Sequence, residues 1–402
     1  MEHFSVVQSI IRAGLAGDET AFHKQVTRLA VRLRKEGKEN EAGTIDRLIR
    51  SAAESNTLKP SRVEVSRGLV TGEALVRETN PPIDRETGAN LCSISFPTSD
   101  RGVVPIFDGT VRETIDGVLA EWSNASALKS VGVEPTRSLL IFGPPGSGKT
   151  LTAEYIGQAL RLPMVTARID GLISSFLGTT ARNIANLFDF ANRYACILLL
   201  DEFDALAKLR DDPQEIGEIK RVVNSLLQNL DRRRTYGVTI AITNHDRLLD
   251  PAVWRRFETH VHIGDPGNRA RETLIERFLH PLRPDRHVIK VMSYCLVGRS
   301  GADVERICES VKRTLALNSG THDGPGLFSA FSTVLSRLPS HEHEPALLLA
   351  RDREAFVSYA TNDRSFTLTQ AMLADMTGFS QSKISDLKKS NRRSTRTGTD
   401  DG

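Results

Sequence analysis

Eight consecutive residues, Gly143, Pro144, Pro145, Gly146, Ser147, Gly148, Lys149 and Thr150, carry the spacing GxxxxGK[ST] between an apolar run and a helical stretch. Glycines in such a loop let successive backbone N–H groups point inward. The helix that starts where the loop ends adds the positive end of its dipole, so the segment is a cradle for phosphates. Lys149 then reaches the outer phosphate oxygens and the Thr150 hydroxyl is placed to ligate Mg²⁺. A chance glycine-rich turn would lack the flanking strand and helix. About 50 residues further on, the unbroken apolar run Cys196 to Leu200 ends in Asp201 and Glu202. Two adjacent carboxylates after a strand are ordinarily a solvated turn. Downstream of a phosphate cradle they read as a working pair, Asp201 holding the metal through water and Glu202 polarising the attacking water.

The elements that must position these groups are legible as an alternation. From 104 to 265, strand-like runs (SLLIFG, MVTARI, CILLLD, VTIAIT, HVHI) alternate with helical stretches, which predicts an α/β domain with a parallel sheet covered by helices. Ligands in such folds bind at the carboxyl ends of the strands. Before this core, residues 1–56 read as an N-terminal helical module. Asp18 is placed as a cap there, and Phe22, Val26, Leu29, Ala30 and Leu33 form one buried face. Residues 57–103, with Ser, Asn, Thr and the Pro81-Pro82 pair, read as a linker. Residues 266–320 read as an all-helical lid, 321–345 as a connector broken by Gly and Pro, 346–390 as a further helical unit and 391–402 as a disordered tail. His341 and His343 in the connector have no third ligand nearby and read as solvated.

Composition narrows the function classes. The chain has 402 residues, 39% hydrophobic and 26% charged, enough to bury real cores. Its 53 Lys and Arg against 50 Asp and Glu leave a net charge of +3, which excludes a histone-like role and confines any nucleic-acid contact to a local patch. No apolar run approaches the roughly 20 residues that span a bilayer, and MEHFSVVQSI lacks an export signal, so the expectation is a cytoplasmic protein without membrane contact. Cys92, Cys196, Cys295 and Cys308 are scattered, with no metal or disulfide spacing.

Further motifs follow in a fixed order: LLLDEFDAL around Asp201, Ala241 to Asn244 after the next strand, Leu249 to Phe257 (LDPAVWRRF), and Ser300 to Val304 (SGADV). With the phosphate loop they resemble an AAA+ ATPase module of the classical AAA clade over residues 104 to about 318. The resemblance implies an ATP hydrolase with ATP and Mg²⁺ as cofactors, built as a P-loop NTPase sheet with a helical lid and acting as a ring homo-oligomer, usually a hexamer. LLLDEFDAL is similar to the Walker B segment. Asn244 stands as sensor 1, orienting water and sensing the γ-phosphate. Arg255 and Arg256 stand at the arginine-finger positions; the family spaces that pair by two residues, and here they are adjacent, which leaves open which one reaches a neighbouring subunit. Ala302 stands where other clades carry a sensor 2 arginine. Phe176, Leu177 and Gly178 resemble the aromatic-hydrophobic-glycine pore loop of members that thread polypeptides, with a buried core Phe as the alternative; Thr179 and Thr180 replace the usual acid after the glycine. The implied partners are a protein substrate and, as in some bacterial members of similar shape, a companion protease.

Near the C-terminus, Ala374, Gly378, Leu373, Phe379, Ile384 and Leu387 fall where a helix-turn-helix needs its small, turn and locking residues. The unit resembles the DNA-binding helix-turn-helix of repressors, which implies that Gln381, Ser382, Lys383 and Ser385 face a major groove of double-stranded DNA. Gln370, with Lys388, Lys389, Arg392 and Arg393, would contact phosphates. The alternative is a helical hairpin for protein contact. Two functional classes follow: an ATPase that remodels or threads protein, and a DNA-dependent ATPase or nucleotide-gated DNA-binding regulator.

Overall fold

The computed structural model describes residues 8, 19–35, 37–39, 42, 43, 45, 72–98, 103–172, 177–205, 216–233, 237–317, 324–338, 344–363 and 369–394. The chain divides into two compact units, Met1–Glu64 and Val65–Gly402. In the first, helix α1 (Glu19–Lys35) buries Ala30 and Leu33. It stops at Gly37, whose left-handed φ of 76° lets the Lys38 N–H close on the Leu33 carbonyl at 2.9 Å. Asp18, expected as its cap, lies outside the described residues.

In the second unit the chain runs through β1 (Cys92–Ser95), α2 (Gly109–Ser123), α3 (Ala125–Ser130), β2 (Ser138–Phe142), α4 (Lys149–Leu160), β3 (Met164–Ala167), α5 (Ile169–Leu172), α6 (Leu177–Arg193), β4 (Ile197–Leu200), α7 (Ile216–Arg233), β5 (Val238–Thr243), α8 (Pro251–Trp254) and β6 (Thr259–His262). The strands form one six-stranded sheet in the order β1-β3-β4-β5-β2-β6, parallel except for β1. This is the α/β architecture that the alternating runs predict. Leu139, Ile141, Ile197 and Leu199 pack on one face with Ile115, Trp122 and Ile156, while Leu140, Leu198 and Leu200 pack on the other with Phe188 and Leu226. Burial on both faces is why the strands read as unbroken apolar runs.

The expected linker 57–103 is corrected by β1, which pairs antiparallel with β3 from Cys92 opposite Ala167 to Ser95 opposite Met164. Cys92 is buried and Ile94 half-buried, while Ser93 and Ser95 face solvent. A period of two over four residues is too short to stand out among serines.

The lid begins with α9 (Asn268–Leu279), α10 (Arg286–Cys295) and α11 (Gly301–Leu317), and continues without a break in packing through α12 (Gly324–Arg337), α13 (Glu344–Arg351), α14 (Arg353–Asn362), α15 (Gln370–Thr377) and α16 (Gln381–Ser394). The connector expected over 321–345 therefore holds a core helix, whose Leu327, Phe328, Phe331, Val334 and Leu335 are buried. Its helical stripe was masked by breakers that sit only at its ends. One hydrophobic cluster runs from Ile275 to Ile384, so the lid and the C-terminal helices are a single body. Within it, α15 is capped by the Thr369 hydroxyl and ends at Gly378 (φ 70°), and Leu373 and Ile384 lock the pair into the common core. His341 and His343 lie outside the described residues. Among the described residues, no helix is long and apolar enough to cross a membrane.

Candidate functional site

Strand order brings three carboxyl ends side by side. β5 lies between β4 and β2, so Asp201 and Glu202 after β4, Asn244 after β5 and the glycine loop after β2 converge on one rim. Gly143 has φ 146°, and a Cβ there would stand 2.0 Å from the Ile263 carbonyl oxygen, so only glycine lets the loop leave β2 beside the end of β6. At Gly148, in the left-handed region with φ 95°, an added Cβ would meet open space, which is the hollow of the cradle.

Lys149 is buried, and its ammonium donates to the carbonyls of Gly143 at 2.9 Å and Pro144 at 2.7 Å. Burial holds its pKa below the usual lysine range, and the nearby Asp201 and Asp204 offset part of that shift. The Thr150 hydroxyl donates to Asp201 Oδ2 at 3.1 Å, and Asp201 Oδ1 accepts from the Glu202 backbone N–H at 2.8 Å. Glu202 has a left-handed φ of 50°, uncommon for a residue with a side chain, and its carboxylate is exposed. Buried Asp204 accepts from the Thr243 hydroxyl at 3.2 Å and the Asn244 backbone N–H at 3.4 Å, which fixes the turn that presents Asn244.

These residues open on a cavity of about 600 Å³ lined by Pro145 to Thr152, Asp201, Glu202 and Asn244. Among the described residues, the Ser147 hydroxyl is buried without a hydrogen-bond partner, a donor left for a ligand. The glycine loop, the buried cation and the hydroxyl-carboxylate pair fit a nucleoside triphosphate. The opposite wall is apolar: Ile106 and Phe107 ahead of α2, Ile263, and Leu274, Phe278 and Ala302 of the lid. Sequence reasoning missed this wall, because single apolar residues far apart in the chain carry no spacing signal. The lid touches the cradle directly, with the Ala302 N–H donating to the Gly146 carbonyl at 3.0 Å. At the lid's base Asp108 accepts from the Gly267 N–H at 3.0 Å, and Arg277 donates to the Val104 carbonyl at 2.7 Å.

The two arginines differ. Arg256 pairs with Asp231 of α7 at 3.1 Å. Arg255 is exposed and, among the described residues, its side chain has no hydrogen-bond or ion-pair partner. Neither lines this chain's own cavity. Phe176 lies outside the described residues, and Leu177 and Gly178 open α6. On α16, Gln381, Ser382 and Lys383 are exposed and Ser385 is half-buried, as is Gln370 on α15. Lys383 is engaged within the protein, by Glu354 of α14 at 2.5 Å and the Phe379 ring at 4.3 Å.

Residues 139–265 match the family described as ATPase family associated with various cellular activities (AAA). The chain is 37% identical over 240 residues to an AAA family ATPase, y4kL, of Sinorhizobium fredii, covering 58% of this chain and 70% of that one. It is 33% identical over 204 residues to a cell division cycle protein 48 homolog of Archaeoglobus fulgidus, covering 49% of this chain and 28% of the relative. It is also 31% identical over 273 residues to a proteasome-activating nucleotidase of Methanopyrus kandleri, covering 59% of this chain and 63% of the relative. With the phosphate cradle, the paired carboxylates and the contacting lid in one cavity, these matches show that the chain belongs to the AAA family of ATPases and is an ATP hydrolase.

Proposed function

We propose that this ATPase works as a cytoplasmic ring, a hexamer by family resemblance, that spends ATP to remodel or thread a polypeptide. The observation that carries the ring is the exposed Arg255, without a partner among the described residues and absent from its own chain's cavity. A cation so placed suits the nucleotide site of a neighbouring subunit, where it stabilises charge on the transferring phosphoryl group. Arg256, already tied to Asp231, serves as its support. Thr150 and Asp201 would hold Mg²⁺, which neutralises phosphate charge when bound. Lys149 binds the outer phosphates, Asn244 orients the attacking water and Glu202 takes its proton as the bond to the γ-phosphate forms and ADP leaves. The polypeptide substrate is supported by the likeness to relatives named cell division cycle protein 48 homolog and proteasome-activating nucleotidase, together with Phe176, Leu177 and Gly178 as a gripping segment. A companion protease is a further partner to test.

A second reading keeps double-stranded DNA as a ligand, on the exposed Gln381, Ser382 and Lys383 at the start of α16 with Ser385 beside them. The ion pair of Lys383 with Glu354 removes a cation from that surface and weighs toward protein contact. Turnover measured alone, with reduced carboxymethylated lactalbumin as an unfolded chain, and with a random-sequence duplex pool separates the two. Stimulation by the unfolded chain supports remodelling. Stimulation by duplex alone moves the function to DNA, and a monomeric mass with ATP bound removes the ring.

A further inference from the structure

The segment 72–95, which sequence reading treats as a linker, grips one helix at both ends. At the end of α6, the Glu73 N–H donates to the Arg193 carbonyl and the Ala195 N–H to the Glu73 carbonyl, each at 2.9 Å, while the Arg193 and Glu73 side chains pair at 3.2 Å. Gly72 makes this approach possible, since a Cβ there would stand 2.7 Å from the Arg193 oxygen. At the start of α6, the buried Thr179 donates its hydroxyl to Glu86 Oε1 at 2.8 Å. Glu86 is itself held in a turn around Asp84, whose Oδ1 accepts the Glu86 N–H at 2.9 Å. That bond foremost, with help from the side chains of Thr87 and Asn183, keeps the Asp84 carboxyl below the usual carboxylate range.

The same segment also holds what precedes α6. β1 pairs with β3, and the Arg168 N–H donates to the Leu91 carbonyl at 2.9 Å, just ahead of α5. One stretch of chain thus fixes the residues on both sides of 173–176, the sequence that ends in Phe176. Nothing in the nucleotide cavity needs this arrangement, since neither Glu86 nor Thr179 lines it.

We propose that Glu86 and Thr179 are positioning residues for polypeptide work: their hydrogen bond holds the start of α6 against the force that a gripped chain exerts on it. The inference rests on the polypeptide reading above. An unbraced helix end yields under load while the nucleotide site is untouched, so hydrolysis continues and coupling is lost.

The test uses the full chain with Glu86→Ala, Thr179→Val, Thr179→Ser and Phe176→Ala variants, and reduced carboxymethylated lactalbumin as probe. Basal turnover and the KM for ATP should stay at the wild-type level in Glu86→Ala and Thr179→Val. Stimulation by the probe should fall about fivefold, the equivalent of one net hydrogen bond, and Thr179→Ser should restore it. Unchanged stimulation in both variants overturns the proposal, as does basal turnover falling in parallel, which marks a merely structural contact. Should Thr179→Val unfold, the exposed Glu86→Ala carries the test. If wild type is not stimulated, or Phe176→Ala keeps full stimulation, the polypeptide reading falls and takes this inference with it; loss with Phe176→Ala but not with the brace variants overturns the brace alone.

Discussion

Glu202 sits in a backbone conformation that side chains avoid, and its carboxylate projects into solvent at the cavity rim. Strain of that kind persists where the surroundings fix it, here through the Asp201 carboxylate that accepts the Glu202 N–H. Glu202→Gln keeps shape and polarity but cannot take a proton, so ATP should stay bound while turnover slows by roughly 10² to 10⁴; single-turnover hydrolysis and nucleotide retention measure the two separately. Lys149→Met should divide stability from binding in the same way. Its buried ammonium donates to the Gly143 and Pro144 carbonyls and, among the described residues, pairs with no carboxylate, so removing the charge should lower the melting temperature only modestly while the shift produced by ATP disappears. At the arginines, Arg255→Ala should abolish turnover that returns in rings mixed with Lys149→Met subunits. Arg256→Ala should act through its partly exposed pair with Asp231 and cost only about 1 kcal/mol of stability. Equal loss of activity in both, without change in stability, would show that the pair acts together.

Between residue and domain, the clearest device is Arg233 at the end of α7. It is fully buried, donates to the carbonyls of Ala191 and Cys196, the latter at 2.7 Å, and so ties the end of α6 to the start of β4. Burial lowers its pKa, with the Cys196 thiol in contact opposing the shift. A Cβ on Gly237 would stand 2.5 Å from its guanidinium. Gly237→Ala should therefore displace a buried, hydrogen-bonded cation and destabilise by about 2 to 3 kcal/mol, read as a lower urea midpoint with basal KM for ATP unchanged. Such ties mark the limit of what the chain reveals as text. The glycine loop and the carboxylate pair were legible because each is contiguous, and the strands were legible because burial on both faces leaves unbroken apolar runs. Arg233, the Ile106 and Phe278 wall and the bond from Thr179 to Glu86 join residues separated by dozens of positions, and each end reads alone as an ordinary surface or core residue. Four-residue β1 and the stripe of α12 were hidden by their polar and glycine-rich flanks.

At the scale of the whole second unit, the lid and the C-terminal helices share one core, with Phe328, Phe331 and Phe356 buried between Met292 and Ile384. A chain cut after Leu317 should lose this packing and expose the apolar faces of α10 and α11, so it is expected to aggregate or melt well below the intact protein. Survival of that truncation with unchanged melting would mean that the C-terminal helices are an independent domain. The contact between Ala302 and Gly146 gives the shared core a mechanical meaning. The lid meets the phosphate loop at Ala302 and is tied at Gly267, where Asp108 holds the backbone, and α15 and α16 are built onto the same apolar core beyond α12. A shift of Ala302 on nucleotide binding is therefore expected to be felt at α16, since the two are joined through one continuous apolar core.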